Sequence, residues 1–201
     1  MSENLVQSVD PESSVTGVPG GTGEAAESDG EHLTADPEAD EAPVILAPSE
    51  TGEPEIVELE PQTVAVLRET VPMIELVDYF GRAYTTVSRV VSEEGAAIVG
   101  PPVGLYFGTP THEVDVAAGF PTDRPVTGSD GVSAETLPGG RAVQILHTGT
   151  YDAMEATYGR LSAWLADEKL TPGPVMWETY LTEPDPAAPE NAQTLITWPV
   201  Q

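Results

Sequence analysis

The strongest constraint on this chain is that its patterned part is written twice. Glu58-Leu59-Glu60-Pro61-Gln62-Thr63-Val64-Ala65-Val66 is echoed by Glu135-Thr136-Leu137-Pro138-Gly139-Gly140-Arg141-Ala142-Val143. Each stretch predicts a strand, a turn at proline and a second strand. A helical stripe follows in both copies, formed by Met73, Leu76, Val77, Phe80, Tyr84, Val87 and Val91 in the first and by Tyr151, Met154, Tyr158, Leu161 and Leu165 in the second. Thr70, with Pro72 in the first turn, and Thr150 are the expected caps; Gly95 and the run Leu170 to Pro174 are the expected stops. A Gly-Pro turn then leads into a strand, Val103 to Phe107 or Val175 to Leu181, and each closes in Tyr-x-x-x-Pro, Tyr106 to Pro110 and Tyr180 to Pro184. Final strands are expected at Thr111 to Val116 and Thr194 to Trp198. The expected architecture is α+β: a β-α-β-β unit used twice, one antiparallel sheet with two helices on one face, and a pseudo-two-fold ligand groove between the repeats.

Composition decides how much of the chain takes part. Thirteen of the 34 acidic residues fall in positions 1–53, which hold no lysine, arginine or aromatic residue. Such a segment cannot offset the roughly 1–2 kcal/mol per residue that ordering a backbone costs. It is expected to be a disordered acidic tail, with residues 54–201 as the folded domain. Its Val44-Ile45-Leu46-Ala47 is a candidate grip for a protein partner, whereas Gly20-Gly21-Thr22-Gly23 lacks the strand and helix of a phosphate loop.

The net charge of −27 divides almost equally between tail and domain. One lysine and six scattered arginines cannot supply the phosphate contacts from which nucleic-acid affinity is built, so direct nucleic-acid binding is not expected and small cationic ligands are favoured. The absence of cysteine excludes disulfides, thiolate nucleophiles and Cys-ligated metals. The first residues lack the basic and apolar pattern of a signal peptide, and the longest uncharged run, Gly95 to Thr111, is broken by Gly100-Pro101-Pro102. The expectation is a cytoplasmic protein with no membrane partner.

Glu178 is the most informative residue. In Val175-Met176-Trp177-Glu178-Thr179-Tyr180-Leu181, alternation places Met176, Glu178 and Tyr180 on one face and Trp177, Thr179 and Leu181 on the other. Superposing the two Tyr-x-x-x-Pro signatures matches Tyr180 with Tyr106 and Glu178 with Gly104, so the carboxylate is expected to face a position with no side chain, leaving room for a ligand. A carboxylate among aromatic rings suits an amine or delocalised cation. Tyr151, which opens the second helix, is a further candidate at the groove. His112, Glu113 and Asp115 alternate along a strand, so they do not converge on a metal; His147, before the second helix, is expected to be structural. No Gly-x-Ser-x-Gly, His-Glu-x-x-His or phosphate loop is present, and no cofactor is implied.

The order Leu137-Pro138-Gly139-Gly140-Arg141-Ala142-Val143, His147-Thr148-Gly149-Thr150-Tyr151-Asp152, Leu161-Ser162-Ala163-Trp164-Leu165, Gly173-Pro174, Trp177-Glu178-Thr179-Tyr180-Leu181-Thr182 and Pro184 resembles the GyrI-like small-molecule-binding family. In the first half, Gly100-Pro101-Pro102, Tyr106 and Gly119-Phe120-Pro121 resemble the same family. That family also supplies the effector-binding domains of bacterial multidrug-sensing transcription regulators. The resemblance implies a duplicated β-α-β-β fold and a cavity between the halves with an acidic residue in it, which maps onto Glu178. The expected ligand-binding set is Glu178, Tyr180, Met176, Tyr106, Gly104, Trp177, Tyr151 and Phe120. Regulator members carry a helix-turn-helix ahead of this domain; here the acidic tail stands in that place, so a direct transcription factor is not expected. The first functional reading is a stand-alone protein that binds or senses hydrophobic cations without turnover. Since some family members hydrolyse strained natural products, an alternative is a hydrolase using Glu178 with Tyr180 or Tyr106. A third is a protein-binding inhibitor acting through the acidic surface.

Deleting residues 1–53 is expected to leave the melting temperature within a few degrees of the full chain, because the tail offers no core-forming aromatic residue. A thermal melt of the two proteins checks this, and a larger drop would show that the tail packs on the domain.

Overall fold

The computed structural model describes residues 52–108, 111–182 and 185–201. The expectations for residues 1–51, and for Pro110 and Pro184, lie outside the described residues. Eight strands form one sheet: β1 (Glu55–Leu59), β2 (Gln62–Pro72), β3 (Val103–Phe107), β4 (Glu113–Pro121), β5 (Val132–Leu137), β6 (Gly140–Thr148), β7 (Val175–Tyr180) and β8 (Gln193–Pro199). Two helices, α1 (Leu76–Glu93) and α2 (Met154–Asp167), follow β2 and β6, each entered through a 3-10 turn, Met73–Glu75 and Tyr151–Ala153. The strand order is β1-β6-β8-β7-β3-β4-β2-β5, and every ladder is antiparallel. Both helices cover the same face of the sheet, and the fold is α+β.

The strand expected before each proline turn is present, and it is exchanged between the repeats. β1 pairs with β6 of the second repeat, and β5 pairs with β2 of the first. Glu55 lies opposite Gln144 and Leu59 opposite Gly140; beyond the bend, Gln62 lies opposite Leu137 and Leu67 opposite Val132. One register therefore runs through both turns without a slip, so residues 55–67 and 132–144 form a single bent ribbon. Since β1 and β2 stand at opposite ends of the strand order with only Glu60 and Pro61 between them, the sheet must curl until its ends meet. The two bends touch: a Cβ on Gly139 would lie 2.6 Å from Pro61 Cδ and 2.8 Å from the Leu59 carbonyl oxygen, so only glycine fits there.

Across the middle of the sheet runs a row of directly paired residues: Ile145, Ile196, Glu178, Gly104, Ala118, Leu67 and Val132. Paired residues share a face. This is the helix-covered face, with Ala65, Leu67, Val116 and Ala118 under α1 and Val143, Ile145 and Ile196 under α2. The opposite face buries Val64, Val66, Val103, Leu105, Ala117, Leu137 and Trp177.

Several helix expectations are corrected. Thr70 and Pro72 belong to β2, which stays paired with β4 up to Pro72 opposite Glu113, so Thr70 caps nothing; Thr150 makes no side-chain cap bond either. Val77 is 82% exposed and Met73 48% exposed, while Tyr79, outside the expected stripe, is buried and donates to the Leu67 and Val116 carbonyls at 2.5 and 3.2 Å. The first repeat's last strand also runs on to Pro121, well past Val116. Among the described residues no helix is long and apolar enough to cross a membrane.

Both helices end in the same closure. After α1, Gly95 at φ +65° donates to Ser92 O, and Ala96 donates to Val91 O. After α2 the left-handed position belongs to Lys169 at φ +57°, with Lys169 donating to Ala166 O and Leu170 to Leu165 O. This is a Schellman closure in each case, with glycine in one and lysine in the other. Lys169→Gly is expected to stabilise the protein by about 1 kcal/mol, by relieving a left-handed Cβ. Urea denaturation of the two proteins measures it.

Candidate ligand-binding site

The central row places Glu178 where its neighbours are aliphatic or glycine, and the carboxylate is 2% exposed. Three phenols hold it. Tyr158, from α2, donates to Oε1; Tyr180, from the same strand, donates to Oε2 at 2.7 Å, and Tyr106, from β3, donates to Oε2 at 3.1 Å. No salt bridge to Glu178 forms among the described residues.

Burial drives the Glu178 carboxyl above its ordinary value of 4.5, and the three hydrogen bonds pull the other way without reversing it. The hydroxyls of Tyr84, Tyr106, Tyr151, Tyr158 and Tyr180 are all pushed up, first by burial and next by the negative charge of Glu178. They therefore remain donors at neutral pH.

The carboxylate borders a cleft of about 600 Å³, a size typical of small-molecule sites. Met73 and Leu76 line it from the start of α1, Tyr106 and Gly108 from β3 and its end, and Tyr151, Glu155, Tyr158 and Ser162 from α2 and the turn before it. Pro172, Gly173, Pro174, Met176, Glu178 and Trp198 complete the wall. The lining contains two carboxylates and no lysine, arginine or histidine. Trp198 Nε1 donates to the Gly173 carbonyl at 2.9 Å, tying the Pro172–Pro174 loop to β8.

Of the eight expected site residues, the structure brings Glu178, Tyr106, Met176 and Tyr151 to this cleft, Tyr151 as a 61% exposed ring at its mouth. Tyr180 reaches Glu178 with its hydroxyl, while its ring stands edge-on to Phe80 and Tyr84 at centroid distances of 6.0 and 6.5 Å. The other three lie elsewhere. Trp177 is on the opposite face, as strand alternation requires, packed with Val103 and Leu105. Phe120 packs against Tyr84 with centroids 5.4 Å apart. Gly104 does sit directly opposite Glu178. The space above it is not free for a ligand, however: a Cβ there would meet Phe80 at 3.0 Å and the Tyr180 hydroxyl at 3.1 Å.

Sequence reasoning placed Tyr158 in the helical core and missed Glu155 and Trp198. The signal for Tyr158 was present, since it follows Tyr84 by the same 74 positions that separate Tyr180 from Tyr106. His147 is buried, with Nε2 donating to the Thr150 carbonyl at 3.1 Å and Nδ1 2.8 Å from the Thr157 hydroxyl. It thus pins the turn that carries Tyr151. His112 is exposed, and Asp115 is engaged by Arg68 at 2.7 Å.

Fold and cleft together define a two-repeat α+β domain with a ligand-sized site. The sequence matches the GyrI-like small molecule binding domain over residues 52–201, and the chain belongs to that family. No curated protein matches it. Among solved structures it is similar to the C-terminal domain of EcmrR, at 18% identity and TM-score 0.63, covering 74% of this chain and 97% of that one. In the EcmrR–DNA complex the match has TM-score 0.64 at 18% identity, covers 74% of this chain and spans only 57% of the EcmrR chain. SAV2435 bound to tetraphenylphosphonium is similar at 13% identity and TM-score 0.54, covering 74% and 94% of the two chains. A hydrolase from Listeria innocua encoded by lin2189 is similar at 15% identity and TM-score 0.53, covering 75% and 92%. At these identities the likeness shows the fold.

A raised carboxyl pKa has a definite consequence for stability. The fold favours protonated Glu178, so its contribution is fully present below 4.5 and is lost as pH rises through the folded-state value. Glu178→Gln removes this dependence. The melting temperature of Glu178→Gln minus that of wild type is expected to grow as pH rises from below 4.5 and then level off; parallel melts across pH check the sign, and a difference that shrinks with pH would contradict it.

Proposed function

We propose that residues 54–201 bind hydrophobic, cationic small molecules, with Glu178 as the counter-charge and with residues 1–53 outside the binding domain. The observation that carries this reading is a carboxylate held in a ligand-sized cleft by three phenols and no cation. Neutral donors orient the group without neutralising it, so a cation entering the cleft meets a charge that no side chain pairs by direct contact among the described residues. Glu155 at the mouth adds a second negative charge, and the faces of Tyr106, Tyr151, Tyr158 and Trp198 offer cation-π contact. The tetraphenylphosphonium bound to SAV2435 has this chemistry and makes a suitable probe.

The raised carboxyl pKa also suits a general acid, and a structural neighbour is described as a hydrolase. In that second reading, Glu178 with Tyr106 or Tyr180 protonates a bound electrophile. Binding without turnover takes precedence because all three phenols donate to the carboxylate, an arrangement that holds it as an acceptor rather than as a proton donor.

Glu178→Gln keeps the size and much of the hydrogen bonding of the side chain while removing its charge. Tetraphenylphosphonium is expected to bind it more weakly by about 1–3 kcal/mol, and neutral triphenylphosphine oxide about equally to both proteins. Wild-type affinity for the cation should rise with pH through the titration of Glu178, and the variant should show no such rise. Calorimetric titration with product analysis of each mixture tests both readings: equal cation affinities would remove Glu178 as counter-charge, and products lost with the variant would favour the hydrolase.

A further inference from the structure

The repeat should generate two equivalent clefts, one on each side of the pseudo-axis between β3 and β7. Four positions correspond at a constant spacing of 74: Phe80 with Met154, Tyr84 with Tyr158, Gly104 with Glu178, and Tyr106 with Tyr180. On the α2 side, Tyr158 and Glu178 line the open cleft, while Met154 is buried in the core. On the α1 side, rings fill the space above Gly104. Phe80 stacks on Tyr84 with centroids 5.7 Å apart and planes 20° from parallel, and it meets Tyr180 edge-on at 6.0 Å and 78°. It descends onto the sheet at Gly104, where its Cε1 and Cζ would lie 3.0 and 3.2 Å from an added Cβ. Glycine at 104 therefore serves the filling of this side. Tyr180 forms the partition: its hydroxyl is bonded to Glu178, and its ring leans on Phe80 and Tyr84.

We propose that Phe80 determines which ligands the site admits. Its ring fills the space above Gly104 and backs the Tyr180 ring, so the site ends at the Glu178–Tyr180 hydrogen bond and accepts a cation only from the α2 side of Glu178. The proposal rests on the cationic-ligand reading for its choice of probes, but the plug itself does not. Removing the ring should open a volume above Gly104 into which the Tyr180 ring can lean, drawing the partition back from the carboxylate and lengthening the site by about one phenyl group. Phe80 and Tyr84 do not line the existing cleft, so a ligand confined to the α2 side should be nearly indifferent to the change.

The test compares wild type with Phe80→Ala, using tetraphenylphosphonium and its analogue in which one phenyl is extended to biphenyl. The extended cation is expected to bind Phe80→Ala about tenfold more tightly than wild type, as burial of part of a ring warrants, with tetraphenylphosphonium changed by less than about threefold. Crystals of both proteins soaked in iodobenzene give a readout independent of charge: iodine density above Gly104 is expected in the variant and not in wild type. If neither protein binds either cation, the ligand class falls, and the iodobenzene density alone decides on the plug. An unchanged ratio of the two affinities, or a vacated volume that collapses and takes up no iodobenzene, overturns the proposal. Should Phe80→Ala fail to fold, Phe80→Leu is held to the same criteria with a smaller change, since it removes less of the ring.

Discussion

The molecule is organised around a carboxylate that is buried without a positive partner. Taking an isolated carboxylate out of water costs several kcal/mol, and each hydrogen bond to a charged group returns about 1.5–3 kcal/mol. Three phenols therefore offset much of the cost of burying Glu178 as a charge, though burial still holds its carboxyl above 4.5. They come from β3, α2 and β7, so the group is satisfied only when both repeats and the second helix are in place. The group is held by neutral donors alone, and that distinguishes it from a structural ion pair. The ion pairs among the described residues, such as Arg68 with Asp115, lie on partly exposed surface, where their worth is small.

Holding three phenols on one carboxylate requires the β3–β7 seam to be rigid, and the exchanged ribbon supplies that rigidity. Each repeat lends its first strand to the other, so neither half of the sheet is complete alone. The two bends that make this possible are fixed by proline on one side and by the close approach of Gly139 on the other. Separating the repeats would break both end ladders as well as the seam. The cleft is consequently built on two repeats that are tied together at both end ladders as well as at the β3–β7 seam.

Much of this was legible in the sequence. The duplication gave the α+β architecture and the positions of the central strands; alternation along β7 placed Glu178, Met176 and Tyr180 on one face; and the paired signatures singled out Tyr106. The exchange of β1 and β5 was hidden, because the same alternation satisfies pairing within a repeat or across repeats. The start of α1 was misread because Val77 continues a plausible stripe, while the ladder to β4 carries the strand through Pro72 and rotates the buried face towards Tyr79. Trp177 packs on the far face, where alternation along β7 already places it. Glu155 and Trp198 had no local signal, since each reaches the cleft only through tertiary packing.

The two repeats differ at two positions that bear directly on Glu178. Glutamate at 178 against glycine at 104 puts all the charge in one place; a second carboxylate on the same row, directly opposite, would have raised the cost of ionising both. Glycine at 104 in turn lets Phe80 settle against the sheet, and phenylalanine rather than the methionine of the other repeat provides a flat ring that stacks on Tyr84 and supports Tyr180. The Phe80 ring above Gly104 and the carboxylate of Glu178 are thus two sides of one difference between the repeats. The half without a carboxylate packs its rings against Tyr180, whose phenol is bonded to the carboxylate of the other half.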